Sequence, residues 1–187
     1  MKKWNIQTFI GIGTLAGLFI LLSLPGALIS GLSRVYILAE ILNSLIIGFS
    51  YSFIVLLFKK PGAVSLWSII FGILAIPFPV MGPPGLFLKV IYSGFWGLLA
   101  DIIYILLKKS EKVTAIVIGI VEIGAGIPLA VLFWQVLGMF EISRQYIEFM
   151  TVFYITGGII IGGSIGYLGY ILYKKIEKTN LVRRIQK

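Results

Sequence analysis

The chain contains no cysteine and no histidine. Those absences remove disulfides, thiolate nucleophiles, imidazole acid-base chemistry and the usual soft or borderline metal ligands. Acids are scarce too: seven Asp and Glu stand against 16 Lys and Arg, and all charged residues together make up 12% of the sequence. Catalytic patterns are also missing. No Walker-type glycine loop is present, so the chain does not hydrolyse ATP by itself. No paired-Asp, His-Glu or Ser/Lys arrangement stands within an apolar run, so it does not read as an enzyme, and no cofactor is expected.

What is present is apolar surface. Of the 187 residues 59% are hydrophobic and the mean hydropathy is +1.04, far from the balance of a soluble domain. The net charge of +9 would point to nucleic acid in a soluble protein. Here the bases sit at the ends of apolar runs, as the positive-inside rule places them, so no nucleic-acid partner is expected and the partner is the lipid bilayer. A span needs roughly 20 apolar residues to cross about 30 Å of hydrocarbon. Six segments qualify, near residues 6–24, 36–58, 62–80, 86–107, 113–138 and 149–173. The first follows Lys2 and Lys3 as a signal peptide would, but it is long for an h-region and other spans follow, so it reads as an uncleaved helix.

Charge parity supports the count. Lys2, Lys3, Lys59, Lys60, Lys108, Lys109, Lys112, Lys174, Lys175, Lys178, Arg183, Arg184 and Lys187 all fall on one side if six spans alternate, leaving Arg34, Lys89 and Arg144 elsewhere. The expected fold is all-α: a polytopic protein of the cell membrane, residues 1–187 forming a single bundle of six transmembrane helices with both termini cytoplasmic. The outer connectors are apolar or kinked, "PGALISGLSR" from Pro25 and "IPFPVMGPPG" with four prolines, while a third carries Glu141, Arg144 and Glu148. They suit lids over a cavity and equally plain helix connectors. One half of the chain does not repeat the other, which weakens the inverted-repeat transporter class.

Polar groups inside the spans are the site candidates, because charge at mid-membrane is costly and faces the bundle interior. In the second span Glu40, Asn43, Ser44 and Tyr51 recur at helical steps and mark an inward face. Glu122 lies close to the middle of the fifth span, with Gly126 one turn away and Pro128 able to open the backbone. It is the leading ligand-binding carboxylate. Lys89 is expected at the outer end of the fourth span, as a ligand contact or snorkelling to the headgroups. Asp101, twelve residues on, is about 18 Å further along the axis, so the two are not an ion pair. It shares a small-residue face with Gly94 and Gly97 and reads as a packing or coupling group against a neighbouring helix. Further rows of small residues are Gly158, Gly162 and Gly166 in the last span and Gly13 and Gly17 in the first. Trp96, Tyr92, Trp134 and Tyr154 are placed to stack on a flat ligand or to pack at the interface.

These residues carry a resemblance. A small basic six-span protein with "FKKPGAVSLWSIIFGIL" opening the third span and "GFWGLLADIIYILLKKSEK" closing the fourth resembles the substrate-binding S components of energy-coupling factor (ECF) transporters. The "KKPGA" turn and the spacing of Gly94, Gly97, Ala100 and Asp101 look most like the hydroxymethylpyrimidine/thiamine branch. The similarity covers roughly residues 50–125, and elsewhere it is one of topology and length. It implies capture of a vitamin-like small molecule at the outer face, then delivery through a transmembrane coupling subunit and two cytoplasmic ATPases. It also implies a docking row on the first helix, where Gly13 and Gly17 replace the family's alanines, and a pocket in the outer half holding Glu122, Lys89, Tyr154 and Gln135. Glu40 and Glu122 against Lys89 favour a cationic or donor-rich heterocycle, thiamine-like or a pyrimidine. Two other classes stay open: a self-contained channel or proton-coupled carrier with Glu122 and Asp101 as relays, and a non-transporting scaffold bound through its glycine rows.

Overall fold

Backbone N–H and C=O groups find no partner in hydrocarbon, so long apolar runs close their hydrogen bonds internally as helices. A computed structural model describes residues 4–33, 36–136, 151–152 and 155–186, and among them there is no strand. The elements are α1 (Ile6–Ser33), α2 (Tyr36–Phe58), α3 (Ala63–Ala75), α4 (Leu88–Leu107), α5 (Glu111–Val136), a π-helical turn (Gly158–Gly162) that runs on into α6 (Gly163–Ile176), and a short α7 (Asn180–Gln186). Three helical stretches, Ile6–Ile29, Leu88–Leu107 and Ile155–Ile176, are long and apolar enough to cross a membrane. This is a membrane protein.

Two expected boundaries are corrected. The first connector was expected from Pro25, but α1 runs through that proline to Ser33. Pro25 removes only the hydrogen bond to the carbonyl one turn earlier, and Gly26 beside it lets α2 come close: a Cβ there would stand 2.8 Å from Asn43 Oδ1. The third segment was expected over 62–80, but α3 stops at Ala75 after 13 residues, about 20 Å of rise and short of the hydrocarbon thickness. Pro77 cannot continue it. Turns follow, Phe78 N–H to Ala75 O at 3.1 Å and Gly85 N–H to Ile76 O at 2.7 Å, with Gly82 and Gly85 at positive φ. Val80 and Met81 of this connector are tucked into the core.

α2 is the central helix, buried from Ser50 to Phe58. Its Tyr51 meets Trp67 of α3 edge-on at 5.2 Å, and Phe19 of α1 meets the same indole at 5.8 Å. Lipid tails are as apolar as side chains, so close packing rather than water exclusion holds such helices together. Glycine serves that end most plainly between α5 and the last helical stretch. A Cβ on Gly158 would stand 2.6 Å from Gly124 N, one on Gly162 2.9 Å from Gly119 C, and one on Gly166 2.9 Å from Ala115 C. Backbone lies on backbone along the whole row. The α3–α4 contact is equally close: a Cβ on Gly97 would reach Ser65 Cα at 2.8 Å, and one on Gly72 would reach Val90 Cα at 2.8 Å, whereas Gly94 makes ordinary contact with Ile69.

The sequence reading did not foresee α7. After α6 the chain turns at Thr179 and folds back, burying Val182 and Ile185. Gln186 Nε2 donates to the carbonyls of Leu56 at 3.3 Å and Leu57 at 3.0 Å, two acceptors left open at the end of α2.

Candidate functional site

The two charges inside α4 belong to a neighbouring helix. α3 begins at Gly62, which is in the left-handed region and offers no side-chain cap, so its first N–H groups need an acceptor from elsewhere. Asp101 supplies it. Its Oδ2 accepts from Ser65 N at 2.8 Å and Ser65 Oγ at 2.5 Å, and its Oδ1 from Val64 N at 3.4 Å. At the other end of α3, Lys89 Nζ donates to the carbonyls of Ala75 at 3.0 Å and Phe78 at 2.5 Å. The twelve-residue spacing along α4, about 18 Å, matches the length of α3. An anion thus sits at the positive end of the α3 dipole and a cation at the negative end.

This corrects the expectation for Lys89. It neither snorkels nor stands open to a ligand: it is fully buried, its ammonium held by the Phe78 carbonyl and by the Ala75 carbonyl, which also accepts from Phe78 N–H.

The other buried acid among the described residues is Glu122. α5 carries this carboxylate 8% exposed, and no hydrogen-bond donor among the described residues reaches it. Gly48 of α2 makes room on one side, where a Cβ would approach Glu122 Cγ to 3.9 Å. One turn further along α5, Gly126 forms a floor beneath the Trp96 indole, whose Cζ2 would lie 3.9 Å from a Cβ there. Tyr92 Oη donates to the Gly126 carbonyl at 2.7 Å and meets Trp96 edge-on at 6.1 Å. The Trp96 ring is buried and its Nε1–H has no acceptor among the described residues. Tyr51 Oη, within electrostatic reach of Glu122, donates to Ser93 O at 3.1 Å. Among the described residues the site thus holds a carboxylate without a donor on α5 and, one turn further along, an indole N–H of α4 without an acceptor. Each such group is costly when buried unpaired.

The structure brings together only part of the candidate set. Trp96 lies against Gly126, one turn along α5 from Glu122. Asn43 lies on another face of α2, pressed against Gly26, its Oδ1 without a partner among the described residues. Gln135 is thirteen residues beyond Glu122, about 20 Å along α5. The Glu40 side chain and all of Tyr154 lie outside the described residues, as do Arg34 and the Glu141–Glu148 connector. Gly13 and Gly17 face open space, nothing approaching within 4 Å of a Cβ at either. Sequence reasoning missed Gly48 as the α2 neighbour of Glu122, and Ser65, Ser68 and Gly72 as the α3 half of the seam. That row at three- and four-residue spacing was a legible signal.

It also missed an ionic node joining three helix ends outside the apolar segments. Glu111, at the start of α5, pairs with Lys59 after α2 and with Lys174 near the end of α6 at 3.1 Å, and Lys174 also pairs with Glu177 at 2.8 Å. Lys59 lies over the Tyr173 ring at 4.9 Å. Burial alone raises the Glu111 carboxyl, but the two ammonium groups outweigh it and hold the group below its ordinary range. Burial lowers Lys59, and hydrogen bonds to Glu111 and Tyr173 outweigh that and hold it above its ordinary value. No local pattern announces this node, because its members are spread from residue 59 to residue 177.

Comparison of the chain with protein-family models, with curated proteins and with solved structures finds no match in any of the three.

Proposed function

We propose that this protein is a solute-binding membrane subunit of the ECF S-component type, with six spans and both termini in the cytoplasm, capturing a vitamin-like molecule for uptake driven by partner subunits. The observation that carries the reading is the buried Glu122 carboxylate, which has no donor among the described residues. A carboxylate buried in a membrane bundle without a donor is expensive, and a ligand bringing a cation or N–H donors would supply what it lacks. The Trp96 N–H asks for an acceptor on the same ligand. A flat, donor-rich heterocycle with a ring acceptor, such as an aminopyrimidine or a thiamine-like compound, answers both. The absence of a nucleotide-binding loop in the sequence is consistent with ATPases on separate chains. The open row at Gly13 and Gly17 is the surface we assign to the coupling subunit.

The carrier reading needs Asp101 to exchange protons, and its oxygens are engaged by the first turn of α3. That engagement is why we prefer the binding subunit.

The test is mass spectrometry of small molecules released from gently purified protein, followed by titration of the identified compound into wild type and Glu122→Gln. The expected result is one retained heterocycle whose affinity falls by ten-fold or more in Glu122→Gln, since a charged hydrogen-bond partner contributes about 1.5–3 kcal/mol. No retained compound, or affinity unchanged in Glu122→Gln, would refute the assignment. Transport by the chain alone in liposomes would refute the partner-dependent part.

A further inference from the structure

The end of the bundle where α4 stops, α5 starts and α6 passes into α7 carries cations with no acidic counterpart. Its acids, Glu111 and Glu177, are already matched by Lys59 and Lys174. Lys108, Lys109, Lys175, Lys178, Arg183 and Arg184 are all exposed, and none of them pairs with an acid among the described residues. α7 holds part of this set in a fixed orientation. Its inner side is fastened by Gln186 to α2, by Thr8 Oγ1 to Ile185 O at 3.3 Å and by Asn5 Nδ2 to Arg184 O at 3.3 Å. Its outer side presents Arg183 and Arg184 with Leu181, an apolar side chain left 64% exposed beside them.

We infer that this end is a docking surface for anionic phospholipid headgroups, with Leu181 entering the acyl boundary next to them. The bases stand within a few turns of Leu88–Leu107 and Ile155–Ile176, both long and apolar enough to cross a membrane, so the phosphates of the surrounding leaflet lie at their level. Guanidinium groups grip phosphate oxygens in pairs, and a short helix that offers bases and a leucine together suits the headgroup boundary. An acidic protein would match the charge but gives no use to the exposed leucine. The inference does not depend on what binds at Glu122.

The experiment uses the full chain in neutral detergent, mixed with equal amounts of phosphatidylglycerol and phosphatidylcholine. Lipid retained after gel filtration is quantified at low and at high salt. Phosphatidylglycerol should be retained preferentially at low salt, and the preference should fall about five-fold for each base neutralised in Arg183→Gln/Arg184→Gln and in Lys175→Gln/Lys178→Gln. High salt should remove most of it. Leu181→Gln should lower retention of both lipids and leave the salt-sensitive preference intact. Far-UV circular dichroism checks that each variant is folded. Equal retention of the two lipids by the wild type, or a preference unchanged by both double variants and by salt, would overturn the inference.

Discussion

Replacing Lys89 with Met keeps the length of the stem and removes the ammonium from the Ala75 and Phe78 carbonyls. The Ala75 oxygen then keeps only its bond from Phe78 N–H, and the Phe78 oxygen loses the Lys89 donor. Two charge-assisted bonds at about 1.5 kcal/mol each put the loss near 3 kcal/mol. Asp101→Asn retains one acceptor oxygen for the first turn of α3 but loses the negative charge and offers N–H groups where an acceptor stood, a loss of about 2 kcal/mol. The two sites are about 18 Å apart on α4 and touch opposite ends of α3. The double variant should therefore lose the sum, about 5 kcal/mol, to within roughly 0.5 kcal/mol. Equilibrium unfolding of the purified chain in mixed micelles, titrated with dodecyl sulfate and followed by circular dichroism, measures all four states of the cycle. A loss under about 0.5 kcal/mol for Lys89→Met would refute the capping argument. So would a double variant no less stable than the worse single one, the behaviour expected of two charges that pair with each other.

The glycine row gives a sharp contrast: Gly162→Val drives a branched side chain into the Gly119 backbone and should cost more than about 2 kcal/mol, whereas Gly13→Ala, facing open space, should stay within about 0.5 kcal/mol, both read in the same unfolding assay. The node at Glu111 should respond to pH at both ends of the scale. Its carboxyl is held low in the folded state, so its contribution is complete above the unfolded value of 4.5 and is lost as pH falls through the lower folded one. Lys59 is held high, so its contribution is complete below 10.5 and lost as pH rises through the higher folded value. Glu111→Gln should flatten the acid limb of a stability-pH profile, and a profile identical to wild type would count against the node. Gln186→Ala should cost about 1 kcal/mol by stripping the Leu56 and Leu57 carbonyls, and hydrogen exchange should report faster opening of α7 with α2 little changed.

Much of the helical content could be read from hydropathy alone, because in lipid an apolar run has almost no alternative to a helix. The breaks were harder. Pro25 looked like a stop and was absorbed, because α1 continues on both sides of it and loses only one bond. Pro77 looked the same and did end a helix, because three more prolines follow and the ammonium of Lys89 takes over carbonyls there. The Glu122 carboxylate and its neighbour Gly126 were visible as a polar and a small residue one turn apart. Their partnership with Trp96 and Gly48 was not, since those come from α4 and α2.

By itself the sequence determined that this chain lives in a membrane, and it marked out the glycine rows open to close helix contact or docking and the few ionisable groups expected to face inward. Each follows from the cost of placing polar atoms in hydrocarbon, which depends on local composition. Only the tertiary structure decided which partner each inward group meets. Lys89 and Asp101 serve the two ends of α3, Glu111 ties three helix ends together, and Glu122 has no donor among the described residues. Those outcomes turn on distances between helices far apart in the chain, and a one-dimensional pattern carries no record of them.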